Sequence, residues 1–279
     1  MSNFNAVPAV PNQDMVYQPP VTGDATLDKI NQQYSPPLNS KIGLGSHPAQ
    51  LDAHGDAFMQ AGGPGIRWYG AARSAMASMY SELTAMQNAH DATMIDVKGP
   101  LGLSRVPDPA RAPELHASMS ASLERVVGRL EKHRGDMDRA SDDLDKEISR
   151  ALEDPDKASN KYVARISGLW EYIRAMPNPS DRTTFLNNAV KDGDLTVIAA
   201  VLGDSPYLSG LNATQQAVLR KAAEEKFAPK AFRAKDEARK AFEKVERASV
   251  AFMSTYNKLL PNIQESSSAV AMRKLRDGK

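Results

Sequence analysis

The chain has 279 residues, of which 41% are hydrophobic, 25% charged and 6% aromatic, and its formal net charge is +1. This length suits one or two domains, and the balanced charge excludes the strong overall positive field typical of nucleic-acid-binding proteins. The absence of cysteine excludes disulfides, thiolate catalysis and Cys-ligated metal sites. We find no secretory signal and no apolar run near the ~20 residues of a membrane-spanning helix. The sequence therefore predicts a soluble protein of the cytoplasm, or one assembled inside a cell.

Residues 1–64 are rich in proline, asparagine, glutamine and glycine and poor in large apolar side chains. Proline fixes φ and disfavours helical conformations in the residue before it. The composition also offers little apolar surface to offset the entropy of ordering. We therefore expect an extended Pro-rich arm that docks on a partner, or else a disordered tail.

Residues 65–112 are predicted to form a Met-rich helix followed by an irregular linker. Apolar residues recur at alternating spacings of three and four from Tyr69 to His90, which places them on one helical face. The glycines and prolines between Met94 and Pro113 predict a linker of about 20 residues, with a short extended piece at 94–97.

Residues 113–261 are predicted to form a helical bundle with two long helices at its ends. The first helix runs from about Pro113 to Glu153, and its narrow apolar stripe suits a coiled-coil seam. The predicted seam residues of this helix are Leu123, Val127, Leu130, Met137, Leu144 and Ile148.

The last helix is predicted from Pro229 to Leu260, and a basic tail, 262–279, follows it. The predicted seam residues of this helix are Phe242, Val245, Phe252, Tyr256 and Leu259. The two seams can pack on one another as an antiparallel pair, or each can pair across a homo-oligomer.

Short helices are predicted between 157 and 229. Ser180, Asp194 and Asn212 are candidate N-caps, and Gly193 suits the left-handed conformation at a helix end. The sequence 189–211 combines a helix end, a Gly-Asp turn and a Pro-containing loop. It resembles neither a repeat array nor a DNA-reading helix-turn-helix, because no second copy exists and its second helix offers only Thr196 to base edges.

The sequence offers few catalytic or metal-binding patterns. The glycines of 62–67 lack the preceding strand and the Lys-Ser/Thr of a phosphate loop. His47, Asp52, His54 and Asp56 match no metal-ligand spacing, and the acidic group at 142–145 is typical of a solvated helix face. We expect no enzyme, no cofactor and no metal.

Nucleic-acid binding is the alternative function. Ten basic and six acidic residues between 220 and 247 leave a local charge of +4, which permits salt-sensitive phosphate contacts. The predicted phosphate contacts are Arg233, Arg239, Lys240, Arg273, Lys274 and Arg276.

The sequence thus predicts an all-α protein with an extended N-terminal arm, long coiled-coil-like helices and a small bundle. The arm, the long Ala/Glu/Lys/Arg helices and the turn GDSPYLSGL (203–211) resemble helical proteins encoded by tailed bacteriophages. This resemblance implies a virion-associated or head-assembly role, in the virion or the host cytoplasm, with no functional residue carried over. We expect a structural protein that binds protein partners, either further copies of itself or neighbouring assembly subunits, and no membrane.

Overall fold

The structure is a computed structural model that describes residues 24–33, 47–99, 102–154, 157, 160–203 and 210–260. Over these residues it is 84% helical, which confirms the predicted all-α class. The helices are α1 Ala25–Gln33, a 3₁₀ helix Pro48–His54, α2 Gly55–Ala61, α3 Gly63–Ala92, α4 Ala112–Ala151, α5 Asn160–Ala175, α6 Pro179–Asp192, α7 Leu195–Leu202, α8 Ala213–Phe227 and α9 Pro229–Leu259. The strands β1 Met94–Gly99 and β2 Gly102–Pro107 form an antiparallel hairpin.

The described parts of the segment 1–64 are helical and packed, so the extended arm is a wrong prediction there. Leu27 of α1, Leu51 of the 3₁₀ helix and Phe58 of α2 are all at most 2% exposed. The prolines predicted extended chain because they exclude long helices, but Pro48 opens the 3₁₀ helix, a position at which proline is tolerated. Each of these short helices thus buries at least one large apolar side chain.

The predicted linker is also corrected. The extended piece expected at 94–97 exists, but it is the first strand of a hairpin whose second strand, β2, lies in the same stretch. The alternating side chains of β2 fall between glycine and proline, the residues that predicted irregular structure.

The chain divides into two compact units, and α3, α4 and α9 each contribute residues to both. Unit 1 comprises 1–52, 72–134 and 243–279, and unit 2 comprises 53–71 and 135–242.

In unit 1, the residues of α3 run antiparallel to those of α4. The Ser74 hydroxyl lies 3.0 Å from His133 Nε2, and Arg129 Nη1 lies 3.0 Å from Glu82 Oε1. The predicted stripe of α3 forms a core here, since Met76, Met79 and Leu83 are at most 1% exposed. Large apolar side chains at helical spacing made this face predictable.

A buried arginine joins the N-terminal helices to α3 in unit 1. Arg73 is fully buried and forms an ion pair with Asp52 at the end of the 3₁₀ helix. Its Nη1 donates to Pro48 O at 3.1 Å, and its Nη2 donates to Asn31 O at 3.4 Å. A buried charge needs such partners to offset its lost hydration.

In unit 2, caps and corners position the short helices largely as predicted. Gly193 has φ 77°, Asp194 Oδ1 accepts from Val197 N at 3.1 Å, and Asn212 forms a capping box with Gln215. The start of α6 is the exception. Its N-cap position is occupied by Asn178 and not by the predicted Ser180, and Pro179 lies in its first turn.

The predicted seam of α4 is buried within the chain in its second half but not in its first. Met137, Leu144 and Ile148 are at most 4% exposed, whereas Val127 is 43% exposed and its neighbour Val126 is buried. Leu123 and Leu130 are only half-buried. The reason is helical geometry: positions 126 and 137 are eleven residues apart, about three full turns, so they share a face.

The seam of α9 is buried at four of its five predicted positions. Val245, Phe252, Tyr256 and Leu259 are at most 7% exposed, and Phe242 is half-buried. Small residues that the prediction omitted continue this buried face toward the start of the helix, namely Ala234, Ala238 and Ala241, and Ala248 lies within the seam itself.

Candidate protein-interaction surface

The hairpin β1–β2 of unit 1 presents more exposed apolar side chains than any helix described. Its register pairs Ile95 with Val106, Asp96 with Arg105, Val97 with Ser104 and Lys98 with Leu103. Residues directly opposite in an antiparallel pair lie on the same face. Ile95, Val97 and Val106 therefore share one face of the hairpin, and Asp96, Lys98 and Arg105 share the other.

The apolar face is open to solvent. Ile95 is 40% exposed, Val97 43% and Val106 36%, and Leu103 on the opposite face is 77% exposed. Branched apolar side chains favour strands because they pack on a pleated surface, and an isolated two-stranded hairpin is marginal in water. The hairpin thus has the apolar composition of a buried sheet, but its apolar side chains remain exposed to solvent.

The backbone alternation of the hairpin identifies the groups at its outer edge. Asp108 N donates to Thr93 O at 2.8 Å, which makes 93 and 108 a hydrogen-bonded pair. Because such pairs alternate with non-hydrogen-bonded ones, Ile95 and Val97 direct their backbone groups toward β2. Asp96 and Lys98 therefore direct theirs outward, and within the described residues β1 pairs only with β2.

The charged side chains of the hairpin are also exposed. Asp96, Lys98 and Arg105 are each exposed to solvent. Among the described residues, neither Asp96 nor Lys98 forms an ion pair, and Arg105 Nη2 donates at 3.4 Å to Asp91 O. The β1 edge accordingly carries one carboxylate and one ammonium group, two residues apart.

The predicted oligomer seams are unsuited to docking, because most of their side chains are covered within the single chain. In α4 these are Met137, Leu144 and Ile148, and in α9 they are Val245, Phe252, Tyr256 and Leu259. Val127, the seam residue that is exposed, has Arg125 and Arg129 beside it, and both of these pair with Glu82 at 3.8 and 3.0 Å.

The predicted phosphate contacts on α9 are largely neutralised by neighbouring acids. Lys240 Nζ lies 2.7 Å from both Asp236 Oδ2 and Glu237 Oε1, and Arg239 Nη2 lies 3.3 Å from Asp236 Oδ1. The hydrogen bond with Asp236 raises the pKa of Lys240, as expected for a paired ammonium group. Arg233 is exposed, while Arg273, Lys274 and Arg276 lie outside the described residues.

The His/Asp group weighed as a metal site is divided among separate partners. The His47 ring contacts the Tyr80 ring edge-on at 5.0 Å, and Asp52 pairs with Arg73. In unit 2, His54 Nδ1 lies 2.5 Å from Glu237 Oε2. Within the residues described, no three His, Asp or Glu side chains are placed to hold a metal ion.

Unit 2 contains a cleft of about 390 Å³ between the end of α4 and helices α5, α7 and α8. Two of the charges on its wall are engaged with the protein itself. Asp154 Oδ2 accepts from Arg165 Nη2 at 2.9 Å, and Arg220 Nη2 donates to Leu202 O at 3.1 Å. These contacts hold the helix ends together, and the described residues of the cleft wall include no hydrogen-bonded pair of nucleophile and base.

Comparison with known proteins leaves the hairpin without a described counterpart. No protein family, curated protein or solved structure matches this chain. No helix within the described ranges has both the length and the apolar character required to cross a bilayer.

Sequence reasoning missed the hairpin as a surface, although one signal was present. Ile95 and Val97 alternate with Asp96 and Lys98, which is the period of a half-buried strand. The stretch was too short, and too closely flanked by Gly99 and Pro100, to be given more than a short extended piece.

Proposed function

We propose that this protein is a non-enzymatic structural or interaction protein that binds another protein chain through the hairpin β1–β2. The observation that supports the proposal is the exposure of Ile95, Val97 and Val106 on one face of a hairpin that pairs with no other strand of the described chain. Exposed strand edges are recurrent sites of strand addition, and contiguous exposed apolar side chains mark interaction sites.

The interaction class follows the sequence prediction, but the proposed surface is new. The predicted docking elements were the N-terminal arm and the helical seams. The described parts of the arm are packed through Leu27, Leu51 and Phe58, and most seam residues are buried, so within the described residues both offer less free apolar surface than the hairpin does. The hairpin offers that surface without any rearrangement of the helices.

A phage virion or head assembly is the setting that we propose from the resemblance noted in the sequence, with the host cytoplasm or the virion as the compartment. Binding to nucleic acid through 220–247 is the alternative. This alternative is less well supported, because Lys240 and Arg239 already form ion pairs with Asp236. Protein binding predicts protein adducts in a crosslinking experiment, and nucleic-acid binding predicts nucleic-acid adducts.

The test is site-specific photo-crosslinking of the full chain in the cells that produce it. A photoreactive side chain replaces Val97, which is 43% exposed on β1, and in the control it replaces Met253, which is 41% exposed on α9. We expect protein adducts from position 97 alone, and we expect Ile95→Thr and Val106→Thr together to abolish them. Equal adducts from both positions, no adducts, or nucleic-acid adducts would contradict the proposal.

A further inference from the structure

We infer that the partner of the hairpin is a second copy of this chain, with the two β1 strands paired antiparallel about a twofold axis at Val97. This inference rests on the proposed function and names its partner. It gives a continuous sheet with the strand order β2-β1-β1′-β2′, where the prime marks the second copy. Three observations on the hairpin lead to it.

The first observation is the set of backbone groups at the β1 edge. Only residues that direct N–H and C=O outward can form hydrogen-bonded pairs with an added strand, and in β1 these are Met94, Asp96 and Lys98. Pairing centred on Val97 places Asp96 opposite Lys98 of the second copy, and both are outward residues. Each such pair can exchange both of its N–H···O bonds, as a regular ladder requires.

The second observation is charge, which distinguishes this register from its neighbours. Centring on Val97 brings the Asp96 carboxylate opposite the Lys98 ammonium group twice, once on each side of the axis. Shifting the centre to Asp96 or to Lys98 instead places two like charges directly opposite, which is destabilising. The edge is thus complementary to itself in one register, which is the condition for an isologous contact.

The third observation is the contrast with β2. Its outward residues are Leu103, Arg105 and Pro107, by the same alternation. Pro107 has no N–H to donate, and pairing centred on Arg105 would oppose two guanidinium groups. Pairing centred on Ser104 would place Arg105 opposite Leu103, so the β2 edge has no charge-complementary register of the kind that the β1 edge has.

The added strands also give the hairpin what it lacks. Three or more strands are needed for a sheet to be stable independently. In the proposed pairing, the two Val97 side chains meet on the axis as a non-hydrogen-bonded pair, the closer kind. Ile95 and Val106 of each copy flank them on the same face. The exposed apolar face thus becomes continuous across the dimer.

The absence of cysteine makes a direct test possible. In the Val97→Cys variant the two thiols face one another at a Cα separation of about 4.5–5.5 Å, within the range that a disulfide spans. The control is Leu103→Cys, which is more exposed but lies on the outer strand. Under mild oxidation of the purified full chains, we expect a disulfide-linked dimer of the first variant and at most a small fraction from the second.

Charge reversal provides an independent test by sedimentation velocity. Lys98→Asp places a carboxylate opposite Asp96 of the second copy, on both sides of the axis. Asp96→Lys places an ammonium group opposite Lys98 of the second copy instead. The second variant also carries Arg105→Glu, which keeps opposite charges at positions 96 and 105 of its own hairpin. Each variant alone should dimerise about tenfold more weakly or worse. An equimolar mixture should recover dimers, because every Asp–Lys pair is restored between the two different chains.

A monomeric wild-type chain, equal crosslinking at positions 97 and 103, or failure of the mixture to dimerise would each overturn the inference. If the purified chain is a monomer while position 97 still crosslinks to a different protein in cells, the proposed function stands and only the choice of partner fails. If no adducts form in cells, the proposed function fails whatever the purified chain does.

Discussion

Val126 and Val127 are adjacent in α4 and lie in opposite environments, since the first is fully buried and the second is 43% exposed. The buried face of this helix therefore passes through Val126 and not through its neighbour. The same residue type at adjacent positions makes a matched pair for mutagenesis.

Replacing Val126 by alanine should lower the free energy of unfolding by about 1–3 kcal/mol, because buried methyl groups are lost and a cavity remains. Val127→Ala, the control, should change it by less than about 0.5 kcal/mol. Urea denaturation of both variants measures the difference. Equal effects would mean that the buried face of α4 is assigned wrongly.

Gly65 permits the close approach of α3 to α2. A Cβ at this position would lie 2.3 Å from the backbone oxygen of Phe58, so Gly65→Ala should destabilise the protein by about 1–3 kcal/mol. Gly70, in the same helix, has no atom within 4 Å of its ideal Cβ. Gly70→Ala should therefore stabilise by about 0.5–1 kcal/mol, and opposite shifts in Tm are expected. A rise in Tm for both variants would show that α2 does not constrain this glycine.

Arg73 holds α1 and the 3₁₀ helix to α3, so its loss should affect those elements first. Arg73→Ala leaves the Asp52 carboxylate without its buried partner and should cost about 3 kcal/mol or more. Arg139→Ala, at a side chain 74% exposed, should cost less than about 0.5 kcal/mol. Hydrogen exchange should accelerate in Ala25–Gln33 and Pro48–His54 only for the first variant. Unchanged exchange there would contradict the anchoring role.

Protonation of Glu237 should lower the stability of the protein in acid. Its hydrogen bonds with Lys240 and then His54 lower the pKa of this carboxyl below its ordinary value of 4.5. A lowered folded-state pKa gives stability that is fully present above 4.5 and is lost as the pH falls through the folded pKa.

The measurement is the urea midpoint from about pH 7 to about pH 3. We expect Glu237→Gln to lose less stability over the acid part of this range than the wild type does. Glu246→Gln, at an exposed glutamate of the same helix, controls for the change in net charge. Parallel pH profiles for the wild type and Glu237→Gln would rule out the contribution.

Local signals in the sequence account for what was predicted correctly. Gly193, Asp194 and Asn212 act through contacts within a few residues, so helix ends were predictable. The stripe of α3 was predictable because the spacing of its methionines and leucine places them all on one face of the helix. The alanine positions of α9 were not predicted, because alanine is common on both buried and exposed faces of helices.

The missing features depend on contacts between distant residues. Arg73 is buried through partners 21 to 42 residues before it, and His54 contacts Glu237 across 183 positions. No local pattern marks such partners. Similarly, the self-complementary order of Asp96 and Lys98 has meaning only once the outward edge of β1 is known.

The most direct measurement of the central claim is light scattering of the purified full chain during size-exclusion chromatography, beside Lys98→Asp. A single chain has a mass of 30.3 kDa. We expect about twice this mass for the wild type, falling toward the single-chain value for the variant. A wild-type mass of one chain at every concentration, or a dimer that Lys98→Asp leaves intact, would contradict pairing through β1.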